Sequence, residues 1–189
     1  MQGWHIDLGL LGTQKCLNLP PDLAIVTVSS RAWEVINHVR AVGYEGLADW
    51  SPHRLTSLAH VPYTLNWRAT AALECSLNDL LLEGTAVHAR HLQVSQMTRA
   101  RLAQELKLTL YPRNPERDSS PTVTAVKVPA DWEWRELDAQ LRARGVVFGG
   151  SWSELQGQVF RIGHMGVQAD PSLVMGALDQ LQAVLHRRV

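Results

Sequence analysis

Apolar residues recur along this chain in three different rhythms. Near the N-terminus they come in runs: one ends at Gly12, and Leu23-Ala24-Ile25-Val26-Thr27-Val28 is apolar at nearly every position. Such a run predicts a strand buried on both faces, as in a parallel or mixed sheet. Ser29 or Ser30 is placed to cap a helix starting near Arg31, with Trp33, Ile36 and Val39 at helical spacing. From Val42 to Val61 periodicity fails, and Gly43, Gly46 and Pro52 mark a loop. The second rhythm is helical. Leu73, Leu77, Leu80 and Leu81 line one face up to Gly84, and Val87, His91, Val94 and Leu102 continue to about Leu106.

The third rhythm alternates. Leu108–Tyr111 and Thr122–Val128 read as strands separated by a polar turn with Pro112, Pro115 and Pro121. Asp131 is expected to cap a helix whose Trp134, Leu137 and Leu141 face inward, and Val146–Phe148 and Gln158–Ile162 read as further strands. Asp170-Pro171 is a strong helix start. Val174, Leu178, Leu181 and Leu185 form its stripe, with His186, Arg187 and Arg188 at the negative C-terminal end. From about residue 85 onward the pattern predicts an α+β domain, an antiparallel sheet covered by helices. Residues 1–62 read as the tail of a larger α/β sheet, joined to it by a helical region over 63–84.

Composition narrows the class. The 189 residues are 46% hydrophobic and 19% charged, which predicts a folded chain with a core rather than a disordered one. Lys+Arg and Asp+Glu both total 18, so charge gives no reason to expect nucleic acid or an anionic membrane as partner. No run approaches the roughly 18 apolar residues of a membrane span, and the N-terminus lacks the basic lead of a signal peptide. Two cysteines, Cys16 and Cys75, predict no disulfide framework and fit a reducing cytoplasm.

Several residues could carry chemistry. Lys15 sits in Gly12-Thr13-Gln14-Lys15-Cys16-Leu17, a turn ahead of Pro20-Pro21 and between two apolar strands. Such a lysine is either solvated or desolvated, and desolvation lowers an amine's pKa toward the range where it attacks carbonyls. Cys16 reads as a small, buried, inert thiol. Arg161 interrupts the apolar Val159-Phe160-Arg161-Ile162, and a charge there needs a partner: an Asp or Glu of the protein, or a ligand carboxylate matched by the guanidinium fork. Tyr63-Thr64 reads as a helix N-cap with an aromatic staple. His88 and His91, spaced i, i+3, lack a third ligand and read as a solvated face rather than a metal site. Trp132 and Trp134 read as packing residues, since Glu133 and Glu136 beside them disfavour nucleic acid.

Gly3-Trp4-His5-Ile6-Asp7, Gly12-Thr13-Gln14-Lys15-Cys16-Leu17-Asn18-Leu19-Pro20-Pro21 and Val28-Ser29-Ser30-Arg31-Ala32-Trp33 resemble the segment around the cofactor lysine of the class V pyridoxal-phosphate aminotransferases, the alanine–glyoxylate and serine–glyoxylate type. Pro121–Val126, Val128-Pro129 and Gln158-Val159-Phe160-Arg161-Ile162-Gly163-His164-Met165-Gly166 resemble that family's C-terminal domain. The resemblance runs from residue 1 to about 185 and covers only the family's C-terminal half. It implies a partial α/β fold of type I: a remnant of the large-domain mixed sheet, then the small α+β domain. It further implies pyridoxal phosphate as cofactor, transfer of an amino group from a small amino acid to a 2-oxo acid such as glyoxylate or pyruvate, and a homodimer.

By resemblance Lys15 forms the Schiff base with the cofactor and moves the substrate proton. Gln14, where related cysteine desulfurases carry a histidine, hydrogen-bonds the cofactor. Arg161 holds the substrate α-carboxylate. Thr64, with Tyr63 near it, reaches the cofactor phosphate across a dimer interface, although Val61 and Asn66 depart from the family pattern there. The family's carboxylate for the ring nitrogen, its phosphate cradle and its stacking side chain all come from upstream of the lysine. Asp7 matches a different aspartate. This chain alone is therefore expected to hold the cofactor poorly. Three explanations stay open: a fragment, a split-enzyme subunit needing a separate N-terminal half, or a non-catalytic interaction module.

Overall fold

The computed structural model describes residues 2–52, 55–57 and 61–186. They divide into two compact units, Met1–Asp79 and Leu80–Val189.

In the first unit, β1 (Leu8–Gly12) and β2 (Ala24–Val28) form an antiparallel pair in register from Leu8 opposite Val28 to Gly12 opposite Ala24. The pairing is antiparallel, and the burial expected on both faces of β2 is absent within this unit. β2 pairs with β1 alone among the described residues, and Leu8, Leu10, Leu11 and Val26 are exposed. A continuous apolar run reports what a strand needs for cover, and the residues of this unit do not supply it. Ser29 caps α1 (Ser30–Val39), its Oγ accepting from the Ala32 N–H at 3.1 Å. Arg40 ends the helix in the left-handed region, where its N–H reaches the Ile36 carbonyl. The expected loop from Val42 to Val61 contains a 3₁₀ turn at Leu47–Trp50; its residues 53, 54 and 58–60 lie outside those described.

Helix α2 (Trp67–Glu83) ends at Gly84, whose φ of +58° suits glycine. The helix starts with Asn66 rather than Thr64: Asn66 Oδ1 accepts from the Ala69 N–H at 3.2 Å. Its leucine stripe is not an inward face. Leu73 and Leu80 are half-buried, but Leu77 and Leu81 are exposed, and no α2 residue is fully buried.

In the second unit, α3 (Ala86–Ala100) widens into a π turn over Arg101–Glu105, closed by the Leu106 N–H to the Arg101 carbonyl. Leu108–Tyr111, expected as a strand, contributes one bridge, Leu110 opposite Val126. A short α4 (Pro115–Asp118), capped by Asn114, interrupts the expected polar turn. Then follow β3 (Val123–Lys127), α5 (Trp134–Arg142), β4 (Gly149–Gly150), β5 (Val159–Gly163) and α6 (Pro171–Leu185).

Two boundaries move from their expected places. Glu133, not Asp131, precedes α5, because a turn from the Trp132 N–H to the Pro129 carbonyl comes first. Val146–Phe148 is not a strand: Val146 closes α5 through the Leu141 carbonyl, Phe148 enters the core, and pairing begins only at Gly149. Asp170 caps α6 as expected, accepting from the Ser172 and Leu173 N–H groups at 2.8 and 3.0 Å. Arg187 and Arg188 lie outside the described residues.

The sheet order is β3-β5-β4, antiparallel throughout. On its core face, Phe160, Ile162 and Val126 meet Leu137 and Leu141 of α5, Val174, Leu178, Leu181 and Val184 of α6, and Val94 of α3. Trp134 and Phe148 both stack on Phe160, with centroids at 5.4 and 6.0 Å. Among the described residues no helix is long and apolar enough to cross a membrane.

Candidate functional site

Lys15 lies in the segment joining β1 to β2, and local hydrogen bonds shape its surroundings. Thr13, buried, donates from Oγ1 to the Pro20 carbonyl at 2.7 Å, and its N–H reaches the Leu23 carbonyl. The Lys15 carbonyl accepts from the Asn18 N–H at 3.0 Å, closing a turn in which Asn18 adopts a left-handed φ of +56°. Leu17 is buried beside it, and its carbonyl accepts from Ser76 Oγ of α2 at 2.7 Å. Lys15 is thus a side chain on an anchored turn.

The amine is exposed, so the desolvation expected from two flanking apolar strands does not come from this unit. Gln14 is also exposed, and its amide folds back over Gly12: a Cβ there would lie 2.5 Å from Gln14 Oε1. Cys16, expected to be buried, is exposed, as is Cys75, and both are free thiols.

Thr64 is exposed and no described bond takes its hydroxyl; Tyr63 is half-buried against Tyr44, ring centroids 4.5 Å apart. At the other end of the β1–β2 pair, Asp7 is enclosed by hydrogen bonds. Ser29 Oγ donates to its Oδ1 at 2.7 Å, Arg31 Nε donates to the same oxygen, and Arg31 Nη2 takes Oδ2. The Arg31 bonds, then the Ser29 bond, hold its carboxyl below the usual carboxylate range. A cavity of about 520 Å³ opens there, lined by His5, Asp7, Thr27, Ser29 and Arg31 among others.

Arg161 belongs to the second unit. Strand alternation sends Phe160 and Ile162 to the core and Arg161 to the opposite face, between Ala125 of β3 and Gly149 of β4. Two small neighbours leave room for the guanidinium over the sheet. Nε and Nη2 both donate to the Gly150 carbonyl, at 3.1 and 2.7 Å. That carbonyl is placed by packing on the other face. A Cβ on Gly150 would lie 2.7 Å from Trp134 Nε1, so the Trp134–Phe160 stack requires glycine at that position.

Trp152 covers the guanidinium, its ring centroid 4.3 Å from Arg161 Cζ. Among the described residues no Asp or Glu pairs with Arg161, which removes the protein ion pair considered from sequence. The carbonyl fills the side fork, Nε with Nη2. The end fork remains, the outer hydrogens of Nη1 and Nη2, a geometry that receives a carboxylate through two parallel bonds.

The segment after β5 is pinned from several sides. Arg90 Nη1 donates to the Gly166 and Ala169 carbonyls at 2.6 and 3.1 Å, while its Nε and Nη2 grip Glu83. His91 was expected on a solvated face with His88. Instead it is buried, Nδ1 at 2.7 Å from the Val87 carbonyl and Nε2 accepting the Gly166 N–H at 2.9 Å. His164 is fully buried, 2.8 Å from Thr124 Oγ1, and burial pushes its pKa down. No three His, Cys, Asp or Glu side chains gather to hold a metal among the described residues. Sequence reasoning missed Gly150 and Trp152. The adjacent glycines ahead of β5 were a usable signal for the first; nothing local marked the second.

No family model matches the chain. It is 36% identical to an uncharacterised aminotransferase of Methanocaldococcus jannaschii, over 87% of this chain and 43% of that protein. It is 32% identical to a soluble hydrogenase small subunit of Synechococcus, over 96% of this chain and 46% of that protein. Among solved structures, the ureidoglycine–glyoxylate aminotransferase of Bacillus subtilis superposes with a TM-score of 0.86 at 28% identity, covering 98% of this chain and 48% of that one. The chain spans about half the length of the curated relatives it matches. These likenesses support an aminotransferase-like family of the fold-type-I pyridoxal-phosphate group, with a partial α/β architecture.

Proposed function

We propose that this chain is the C-terminal, lysine-bearing part of a class V pyridoxal-phosphate aminotransferase that moves an amino group from a small amino acid to a 2-oxo acid such as glyoxylate or pyruvate. The observation that carries the reading is Arg161. It is a half-buried cation with no carboxylate partner among the described residues, its side fork on a carbonyl and its end fork open. Amino acids and 2-oxo acids both present the carboxylate that such a fork takes.

The side chains fit part of the cofactor. Lys15 offers a primary amine on an anchored turn, with Gln14 beside it to donate a hydrogen bond. Thr64 offers a hydroxyl to a phosphate oxygen, with Tyr63 next to it. Asp7 is not assigned to the ring nitrogen: it matches a different aspartate of the family, and Arg31 and Ser29 already bond both its oxygens. Pyridoxal phosphate, when bound, supplies an electron sink that acidifies the α-proton of an amino acid. Lys15 then takes that proton from the α-carbon and returns it on the other side of the transfer, while Arg161 fixes the carboxylate. The cofactor donors that these residues do not supply are expected from the rest of the enzyme, on the same polypeptide or on another. The exposed apolar hairpin of Leu8, Leu10, Leu11 and Val26 supports association with a second copy or with a separate N-terminal half. Such a chain works in the cytoplasm, away from nucleic acid and membrane.

The test uses the three lysines of the sequence, Lys15, Lys107 and Lys127. The full chain is mixed with pyridoxal phosphate, reduced with borohydride and peptide-mapped. The adduct is expected on Lys15. Equal labelling of Lys107 and Lys127 would remove the assignment.

A further inference from the structure

Trp152 is an indole left 69% exposed, which forgoes the burial a tryptophan ordinarily gains. The backbone around it is nevertheless shaped to hold it. Trp152 is extended (φ −132°, ψ 178°) and the next residue, Ser153, sits in the left-handed region at φ +53°, a conformation that side chains other than glycine adopt at a cost. The Trp152 carbonyl accepts from the Leu155 N–H, closing the 3₁₀ turn Ser153–Leu155. What this strained turn delivers is a ring over the Arg161 guanidinium, 4.3 Å from Cζ.

Two constraints on Arg161 are then complementary. The Gly150 carbonyl receives Nε and Nη2 in the guanidinium plane, but a single acceptor atom is a pivot and does not prevent tilting. A ring stacked on the face opposes tilting and does little to fix rotation in the plane. Together they leave one edge, the Nη1–Nη2 fork, in a fixed direction.

We propose that Trp152 is a positioning residue that holds the end fork of Arg161 for the carboxylate of a small amino acid or 2-oxo acid. The ligand class rests on the carboxylate-seat reading above. Because donor and acceptor present the same group, Trp152 acts on both substrates alike.

The test uses the ¹⁵N-labelled full chain, with pyruvate as probe and chloride at matched ionic strength as control. The Trp152 indole signal is identified by its loss in Trp152→Phe, and the Arg161 Nε–H signal by its loss in Arg161→Lys. In the unsubstituted chain the Arg161 Nε–H should exchange slowly and shift saturably with pyruvate. Trp152→Ala should speed that exchange and weaken pyruvate binding about fivefold, the scale of one partly exposed cation–π contact. Trp152→Phe should restore most of both, and Trp152→Leu, which keeps apolar bulk without a π face, should behave like the alanine variant. An Nε–H exchange rate and pyruvate affinity unchanged in Trp152→Ala, or fully rescued by leucine, would overturn the positioning role. Pyruvate that leaves the Arg161 signal unmoved in the unsubstituted chain would instead defeat the carboxylate seat; Nε–H exchange in the variants then decides the positioning role alone.

Discussion

The two units make opposite use of similar apolar material. In Leu80–Val189, strand alternation and helix stripes converge on one cluster, and Phe160, Leu137, Leu141, Leu178 and Leu181 are wholly buried. In Met1–Asp79, only Leu17 and Ala48 among the described apolar residues are buried, while Trp4, Leu8, Leu10, Val42, Tyr44 and Trp67 face outward. The difference teaches that apolar content does not make a core. Three strands and three helices can close around each other, whereas a two-stranded pair has two faces and two edges to cover, and neither α1 nor α2 in that unit contributes a buried position.

The largest test of this contrast is limited proteolysis with mass spectrometry. Cleavage should come first within residues 1–62 and leave a fragment of about residues 85–189. Uniform protection from Met1 to Val189 in a dilute monomer would mean that the first unit folds completely unaided.

Next in size is Phe160→Ala. It removes the ring that both Trp134 and Phe148 stack on and should cost about 3–5 kcal/mol in denaturant unfolding of the second unit. A loss comparable to that of a surface change would mean that the aromatic stack is not central to the core.

His164 gives a pH-dependent contrast within the second unit. Burial is the main cause of its lowered pKa, and nearby Arg99 and His91 also oppose its charge. Its folded value therefore lies below the unfolded value of about 6.5. Between the two the unfolded chain binds the extra proton, so stability is full above the unfolded value and falls as pH drops toward the folded one. Thermal melts across that window should show the decline, and His164→Gln should flatten it.

The smallest effect expected is at Leu10, 79% exposed in the first unit. Leu10→Ser should change stability by no more than about 0.5 kcal/mol while reducing self-association in sedimentation. A large loss of stability would show that β1 is covered after all.

Local chemistry determined much of this molecule by itself. Ser29, Gly84 and Asp170-Pro171 mark helix ends wherever they stand, because a cap is a hydrogen bond between near neighbours and a left-handed φ is a property of one residue. Likewise Val159–Ile162 reads as a strand, and Arg161 within it reads as a cation in need of a partner. The identity of that partner was not legible, since it depends on β4 pairing with β5 and on a turn that swings Trp152 over the guanidinium. The same limit explains Leu77 and Leu81 of α2, exposed despite their stripe, and Cys16, exposed beside Lys15. Periodicity states which side of an element is apolar. Whether that side is buried depends on surfaces from distant parts of a chain or from another chain, and only the tertiary structure decides it.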